Sequence, residues 1–310
     1  MTSKKNIYLL LIIILFIAFA GCNNTSKKVK PHKKEPFICN GVISLTSTEF
    51  ISPDNPPFKH SEFSAMFPKY KIRDIENVKT LLPAHVPDLN LELNTCSMPI
   101  PTLASMRKKE LTRPNIVSLE DAGNMFISSK KNMALVPTRT FPDLLKIING
   151  VIYYTDEFSN LDLVPDETYT IKTTGSDVIQ KFEVLLNAPK ELGDITINET
   201  SPDETTPVIT LGKPIDVKWD GAGYGDEVII SIKLNGPGIS WNIQCRIKDD
   251  GTFSIPPEIT NQLTIDSSIS STEMSIERVR QISFASKGLS QGDFSFVVKT
   301  NFLIEFDENS

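Results

Sequence analysis

The sequence predicts an all-β protein: two β-rich domains, the C-terminal one an immunoglobulin-like β-sandwich, behind a short apolar segment and a polar tether. Three observations point there. Apolar residues recur with a period of two over short stretches, as in "DEVIISIKLNG", which is the mark of half-buried strands. Gly, Pro and Asp cut those stretches at short intervals, as turns between strands require. The 21 prolines are scattered along the chain and argue against long helices.

At the N-terminus Lys4 and Lys5 precede an unbroken apolar run from Ile7 to Ala20, which closes on Gly21 and Cys22. The run is short of the roughly 20 apolar residues that cross a bilayer, and its flanks read as a secretory signal peptide over residues 1–21. Small residues just before Cys22 resemble the lipobox of bacterial lipoproteins. The resemblance implies cleavage before Cys22, diacylation of its thiol with palmitate-like chains, and acylation of the new amine. Phe19 departs from it, since the pattern usually has Leu there. The other reading is an uncleaved anchor helix, and both leave the rest of the chain extracytoplasmic. Each buried methylene adds about 0.8 kcal/mol, so three acyl chains hold firmly where one is marginal. Asn23 follows the cysteine; an Asp there resembles an inner-membrane retention signal, so the expected site is the outer membrane or cell surface.

Residues 22–36 are the lipidated Cys and a lysine-rich tether, "NNTSKKVKPHKKEP" after Cys22, too polar to build a core. Lys27, Lys28, Lys30, Lys33 and Lys34 could suit nucleic acid. Beside a lipid anchor, in a chain of formal net charge -6, anionic headgroups are the better partner, and no nucleic-acid partner is expected. Of the four cysteines, Cys39 and Cys96 lie in polar segments that need help to stay ordered, and an oxidising compartment would pair them. Cys245 alternates with Ile243 and Ile247 and reads as a small buried apolar residue. No C-x2-C spacing suggests a metal, and His32, His60 and His85 read as surface residues.

Removing residues 1–21 from 310 leaves 289, enough for two domains with real cores. These are placed at 37–205 and 206–310, with the acidic "ETSPDETTP" of Glu199–Pro207 marking the boundary. In order, "GVISLTSTEF" is a strand, and "LNLEL" a short one within a proline-rich stretch. "FPDLLKIING" is a short helix with a Gly stop or a loop entering the next strand. "GVIYYTDEF", "ETYTIKTTG", "IQKFEVLLNAP" and "GDITINET" follow as strands. In the last hundred residues "PIDVKWDG" puts Ile215, Val217 and Trp219 on one face, Trp219 as a core plug. "DEVIISIKLNGPG", "ISWNIQCRI", "MSIERVRQISFAS" and "DFSFVVKTNFLIEF" complete a set of immunoglobulin size. Asp250-Gly251 is a turn, and "PPEITNQL" a half-helix or open loop.

Four blocks then resemble a family of uncharacterised exported lipoproteins of myxobacteria and related predatory or gliding lineages. They are "LEDAGNMFIS" at Leu119 to Ser128, "ETYTIKTTGSDVIQKFEVLLNAP", "IDVKWDG" and "CRIKDDGTFSIPPEI". The likeness covers Leu119 to Phe306, and departs in being Lys- and Ile-rich where that family is Gly- and Ala-rich. It implies an exported location and a β architecture, and no chemistry.

The residues themselves offer no catalytic set. Acidic pairs are plentiful, at Asp156-Glu157, Asp166-Glu167, Asp203-Glu204, Asp226-Glu227 and Asp249-Asp250, but none stands out as the two carboxylates a glycosidase needs. There is no G-x-S-x-G or H-E-x-x-H, and no His after His85. "IKDDGTF" lacks the alternating ligands of a calcium loop, so these acids read as solvated turns, with no metal and no cofactor. The expectation is therefore a non-enzymatic envelope lipoprotein, a surface binding or adhesion module for an envelope protein or glycan. The alternatives are a purely structural envelope component and, behind it, a glycan-acting hydrolase. The contact patch would be Tyr224, on the Gly-rich tip "GAGYGDE", with Trp241.

Overall fold

The computed structural model describes residues 37–71, 91–97, 117–140, 148–156, 158, 161, 163–221, 227–236, 239–262 and 271–307. The expectations for Cys22, the signal segment, the tether and Tyr224 lie outside these residues.

The described chain is β-rich and built of several sheets. The largest has eleven strands. Across it run β2 (Asn55–Met66), β9 (Ile148–Thr155), β5 (Val117–Leu119), β3 (Pro68–Lys71), β1 (Phe37–Ser52), β19 (Gln291–Leu303), β18 (Ser271–Phe284), β15 (Glu227–Gly236), β16 (Ile239–Lys248) and β4 (Thr95–Ser97), with β8 (Thr138–Thr140) on β9. Because β2 also pairs β1, the path β1-β2-β9-β5-β3 closes on itself. A four-stranded sheet runs β11 (Glu183–Asn187), β10 (Thr168–Thr173), β6 (Met125–Ser128), β7 (Met133–Val136). A three-stranded one runs β12 (Thr196–Ile197), β14 (Ile215–Lys218), β17 (Thr252–Ile255), and β13 (Val208–Thr210) pairs β20 (Glu305–Asp307). A single turn of helix, α1 (Pro257–Thr260), follows β17.

Two apolar cores sit side by side on the large sheet. In the first, Ile43, Phe63, Phe294 and Phe296 pack with Met125, Ile127, Tyr169, Ile171, Val184 and Leu186 of the four-stranded sheet. In the second, Ile230, Ile232, Ile243, Ile276 and Phe302 pack with Ile195, Ile197, Ile215, Val217 and Ile255. The period of two keeps alternate residues of β19 on one face, and its 13 residues, at about 3.3 Å each, are long enough to serve both cores. Parallel pairing of β1 with β19, from Asn40↔Gln291 to Phe50↔Asn301, ties residues from either side of 205/206 into one sheet. Ile195 and Ile197 share the second core with Ile209, Ile215 and Val217, so that position falls within the second core's own stretch of chain, and Phe37–Ser310 forms one compact unit.

Three local expectations change. Of "FPDLLKIING", 141–147 lie outside the described residues; Ile148–Gly150 begin β9, and a Cβ on Gly150 (φ 119°) would stand 2.0 Å from the Leu119 carbonyl oxygen, so the alternative of entry into the next strand fits these three residues and the Gly stop of a helix does not. Leu91–Leu93 lie outside any strand, the strand being β4 just after them. The Cys39–Cys96 pairing is replaced by Cys96–Cys245, because β4 lies on the edge of β16 with these two residues directly opposite each other. Cys39 is a buried free thiol near the Phe67 carbonyl.

Candidate functional site

Where the two cores meet, over Val298 to Thr300 of β19, the surface opens into a cleft of about 320 Å³. Strand alternation aims Ser47, Glu49 and Ile51 of β1 and Pro57 and Lys59 of β2 toward it, and Leu192 to Ile195 with Ser201 and Asp203 close the other side. Four carboxylates line it, on Glu49, Glu191, Asp194 and Asp203, against the ammonium groups of Lys59 and Lys299. Lys59 Nζ stands 3.0 Å from Glu191 Oε1 and 3.6 Å from Glu49 Oε1. The hydrogen bond to Glu191 raises its pKa above the ordinary lysine value, against the opposing pull of partial burial. Lys299 is turned to Glu277 at 2.8 Å. Ser201 Oγ donates to Asp203 Oδ1 and to the Ile195 carbonyl. The cleft is thus polar and acidic, and suited to holding a partner's donors and cations. Among the described residues no three His, Cys, Asp or Glu side chains converge as a metal set.

Beside the cleft lies a cluster the sequence reading missed. Arg278 is wholly buried, and its guanidinium donates to the carbonyls of Lys190, Glu191 and Asp220 and to Asp249 Oδ1. Its Nε lies 2.8 Å from Asp249 Oδ2, as an ion pair off the hydrogen-bond axis. Trp219 Nε1 donates to Asp249 Oδ1 at 2.8 Å. Asp249 is therefore no solvated turn residue. Trp219 is the core plug expected, with its indole N–H satisfied as buried tryptophans require. The signal was in the strand pattern: Met274, Ile276 and Arg278 share one phase, so a charge falls at a core position.

The quoted blocks "LEDAGNMFIS" and "ETYTIKTTGS" interlock. Tyr153 Oη donates to Asp121 Oδ1 at 2.6 Å and accepts the Ala122 N–H at 2.9 Å, and the phenol pKa is raised chiefly by burial. Gly175 N–H donates to the Ala122 carbonyl, Asn124 N–H to Thr174 Oγ1, and Ser176 Oγ to the Asp121 carbonyl. These bonds tie the two turns to each other, while Asp121, Asn124 and Thr174 stay exposed to solvent.

Of the expected contact patch, Trp241 stands in β16 opposite Leu234, with its side chain outside the described residues, as is all of Tyr224.

No protein family and no curated protein matches the chain. Among solved structures, the yeast delta-COP-I mu-homology domain complexed with a Dsl1 WxWxV peptide is similar over 86% of this chain and 96% of that one, at 11% identity and a TM-score of 0.20. A likeness at that TM-score carries no argument about fold or function.

Proposed function

We propose that this chain is a lipid-anchored protein of the cell envelope that acts by binding and not by catalysis. The Cys96–Cys245 disulfide carries the location, because such bonds persist in oxidising, extracytoplasmic compartments. It supports the reading of Ile7 to Cys22 as a lipoprotein leader, with Cys22 the acylated residue and the outer membrane the destination. The polar cleft between the cores supports binding: it gathers charged groups from several segments on the large sheet. An envelope protein or a glycan is the partner class. The finer architecture belongs to this reading as well. The core of Leu192 to Ile304 is proposed as the immunoglobulin-like half of a two-part body, supported by its own apolar cluster. Membership of the exported lipoprotein family remains part of the proposal, on the four quoted blocks.

Metabolic labelling with a palmitate analogue tests the anchor. Label is expected on the wild type and absent from Cys22→Ser; equal labelling and processing of both would sink it. Capture from envelope extract and a glycan array by the full chain tests binding. A saturable partner lost on Asp194→Lys with Asp203→Lys is expected; unchanged capture would return the chain to a structural role.

A further inference from the structure

One surface stands apart from the cleft. The β6–β7 hairpin and the residues after it, Met125 to Thr140, contain Lys130, Lys131 and Arg139 and no Asp or Glu, in a chain of formal net charge -6. Ser129 fixes the tip: its Oγ accepts the Lys131 and Asn132 N–H groups, and its own N–H donates to the Asn132 carbonyl, which leaves both lysines exposed. Next to them Met133 is 64% and Leu135 57% exposed, on the outer face of the four-stranded sheet. Phe126 stands opposite Leu135, half-buried, and Leu185 lies in the Met133 row, also exposed. Lys172, also on that face, is paired with Glu183 at 3.2 Å.

Lysines and a proline alone would be ordinary protection of an edge strand. Such protection has no use for two large exposed apolar side chains between the charges. A second copy paired along β7 would set Lys130 and Lys131 near Arg139 of its neighbour, like against like. Apolar side chains with cations around them suit the boundary of an anionic bilayer, where methylenes leave water and ammonium groups meet headgroups.

We propose that this hairpin is a membrane-contact element that seats Met133 and Leu135 in an anionic lipid surface, with Lys130 and Lys131 on the headgroups. The inference rests on the lipid-anchored reading for how a bilayer comes within reach. It predicts that the body lies against the membrane, not free on its stalk.

The test uses the full chain with Met133→Cys in a Cys39→Ala background, labelled with an environment-sensitive dye. The protein is placed in phosphatidylcholine vesicles, and in vesicles containing phosphatidylglycerol, with doxyl-labelled lipid as quencher. Quenching is expected in the anionic vesicles only. Lys130→Gln with Lys131→Gln should lower the ratio of contacting to free label roughly 25-fold, about fivefold per lysine. Flotation with the neutral vesicles reports the anchor separately, so the two readings fail independently. A label that stays in water with anionic lipid, quenching equal in both vesicles, or no effect of the two lysines overturns the proposal. So does protection of the label only at concentrations where the chain dimerises, which would assign the face to a second copy.

Discussion

Arg278 and Asp249 form an ion pair with both side chains withdrawn from water, 0% and 1% exposed respectively, at an Nε–Oδ2 distance of 2.8 Å. Arg278 also donates to three backbone carbonyls and to Asp249 Oδ1, which takes the Trp219 indole N–H as well. The pair joins β18 to the segments at Lys190–Glu191 and Asp220, beside the cleft. Removing one partner leaves the other charge buried without compensation. Asp249→Ala is therefore expected to destabilise by about 3–5 kcal/mol, read as a shift of the urea midpoint. Trp219→Phe removes one neutral donor and should cost only about 1–2 kcal/mol. Equal effects of the two substitutions would mean the ion pair is not the centre of the clasp.

The Cys96–Cys245 bond closes a separation of 149 residues. It fastens the 91–97 segment to the edge of β16, where Arg246 also donates to the Leu91 carbonyl at 2.7 Å and pairs with Glu227. A loop of that length restricts the unfolded chain strongly. Cys96→Ser with Cys245→Ser should lower stability by about 3–5 kcal/mol. Cys39→Ser should leave the number of disulfides unchanged by mass spectrometry under non-reducing conditions. A lost bridge in that variant would restore the Cys39–Cys96 pairing.

The strands were legible wherever apolar residues alternate cleanly: Phe182, Val184 and Leu186, or Ile215, Val217 and Trp219, are buried as their period says. What escaped was long-range. Nothing local in "GVISLTSTEF" says that it will run parallel to "DFSFVVKTNF" some 250 residues later, because register between distant strands is settled by packing on both faces. The disulfide escaped for the same reason. Cys245 has the phase of a core residue, and only the arrival of β4 at the edge of β16 supplies its partner. The cleft was illegible because its carboxylates come from β1, the segment after β11 and the turn at Asp203, and are ordinary surface acids in sequence.

Gly123 and Gly175 explain why "DAG" and "TTGS" share a structural role. Gly123 has φ 78°, and a Cβ there would stand 2.3 Å from the Gly175 carbonyl oxygen. Backbone cannot yield as a flexible side chain does. Gly123→Ala should cost at least about 1–3 kcal/mol, whereas Met133→Ala, on the open face, should stay within about 0.5 kcal/mol. Chemical denaturation of the two variants decides it. A Gly123→Ala protein as stable as Met133→Ala would show that the node relaxes.

Cys39 gives the chain a pH dependence with a definite sign. Burial, helped by Glu120 and opposed by Lys69, pushes the thiol up from an ordinary 9.0 to about 11. Unfolded, the thiol ionises near the lower value; folded, it keeps its proton to the higher one. Below pH 8 both states are protonated and the group contributes nothing to the slope. Between the two values the folded state holds more protons, so stability falls as pH rises. At pH 10.5 the loss from this group is about 2 kcal/mol relative to pH 8. Tyr70 and Tyr153 also have raised values and add to the slope, so the measurement must be a difference. Urea unfolding of wild type and Cys39→Ala at pH 8 and 10.5 supplies it. Wild type should lose about 2 kcal/mol more than the variant across that interval. Native Cys39 should also resist a water-soluble thiol reagent until urea opens the core. Parallel pH profiles, or fast modification of the folded protein, would place this thiol at the surface and remove the effect.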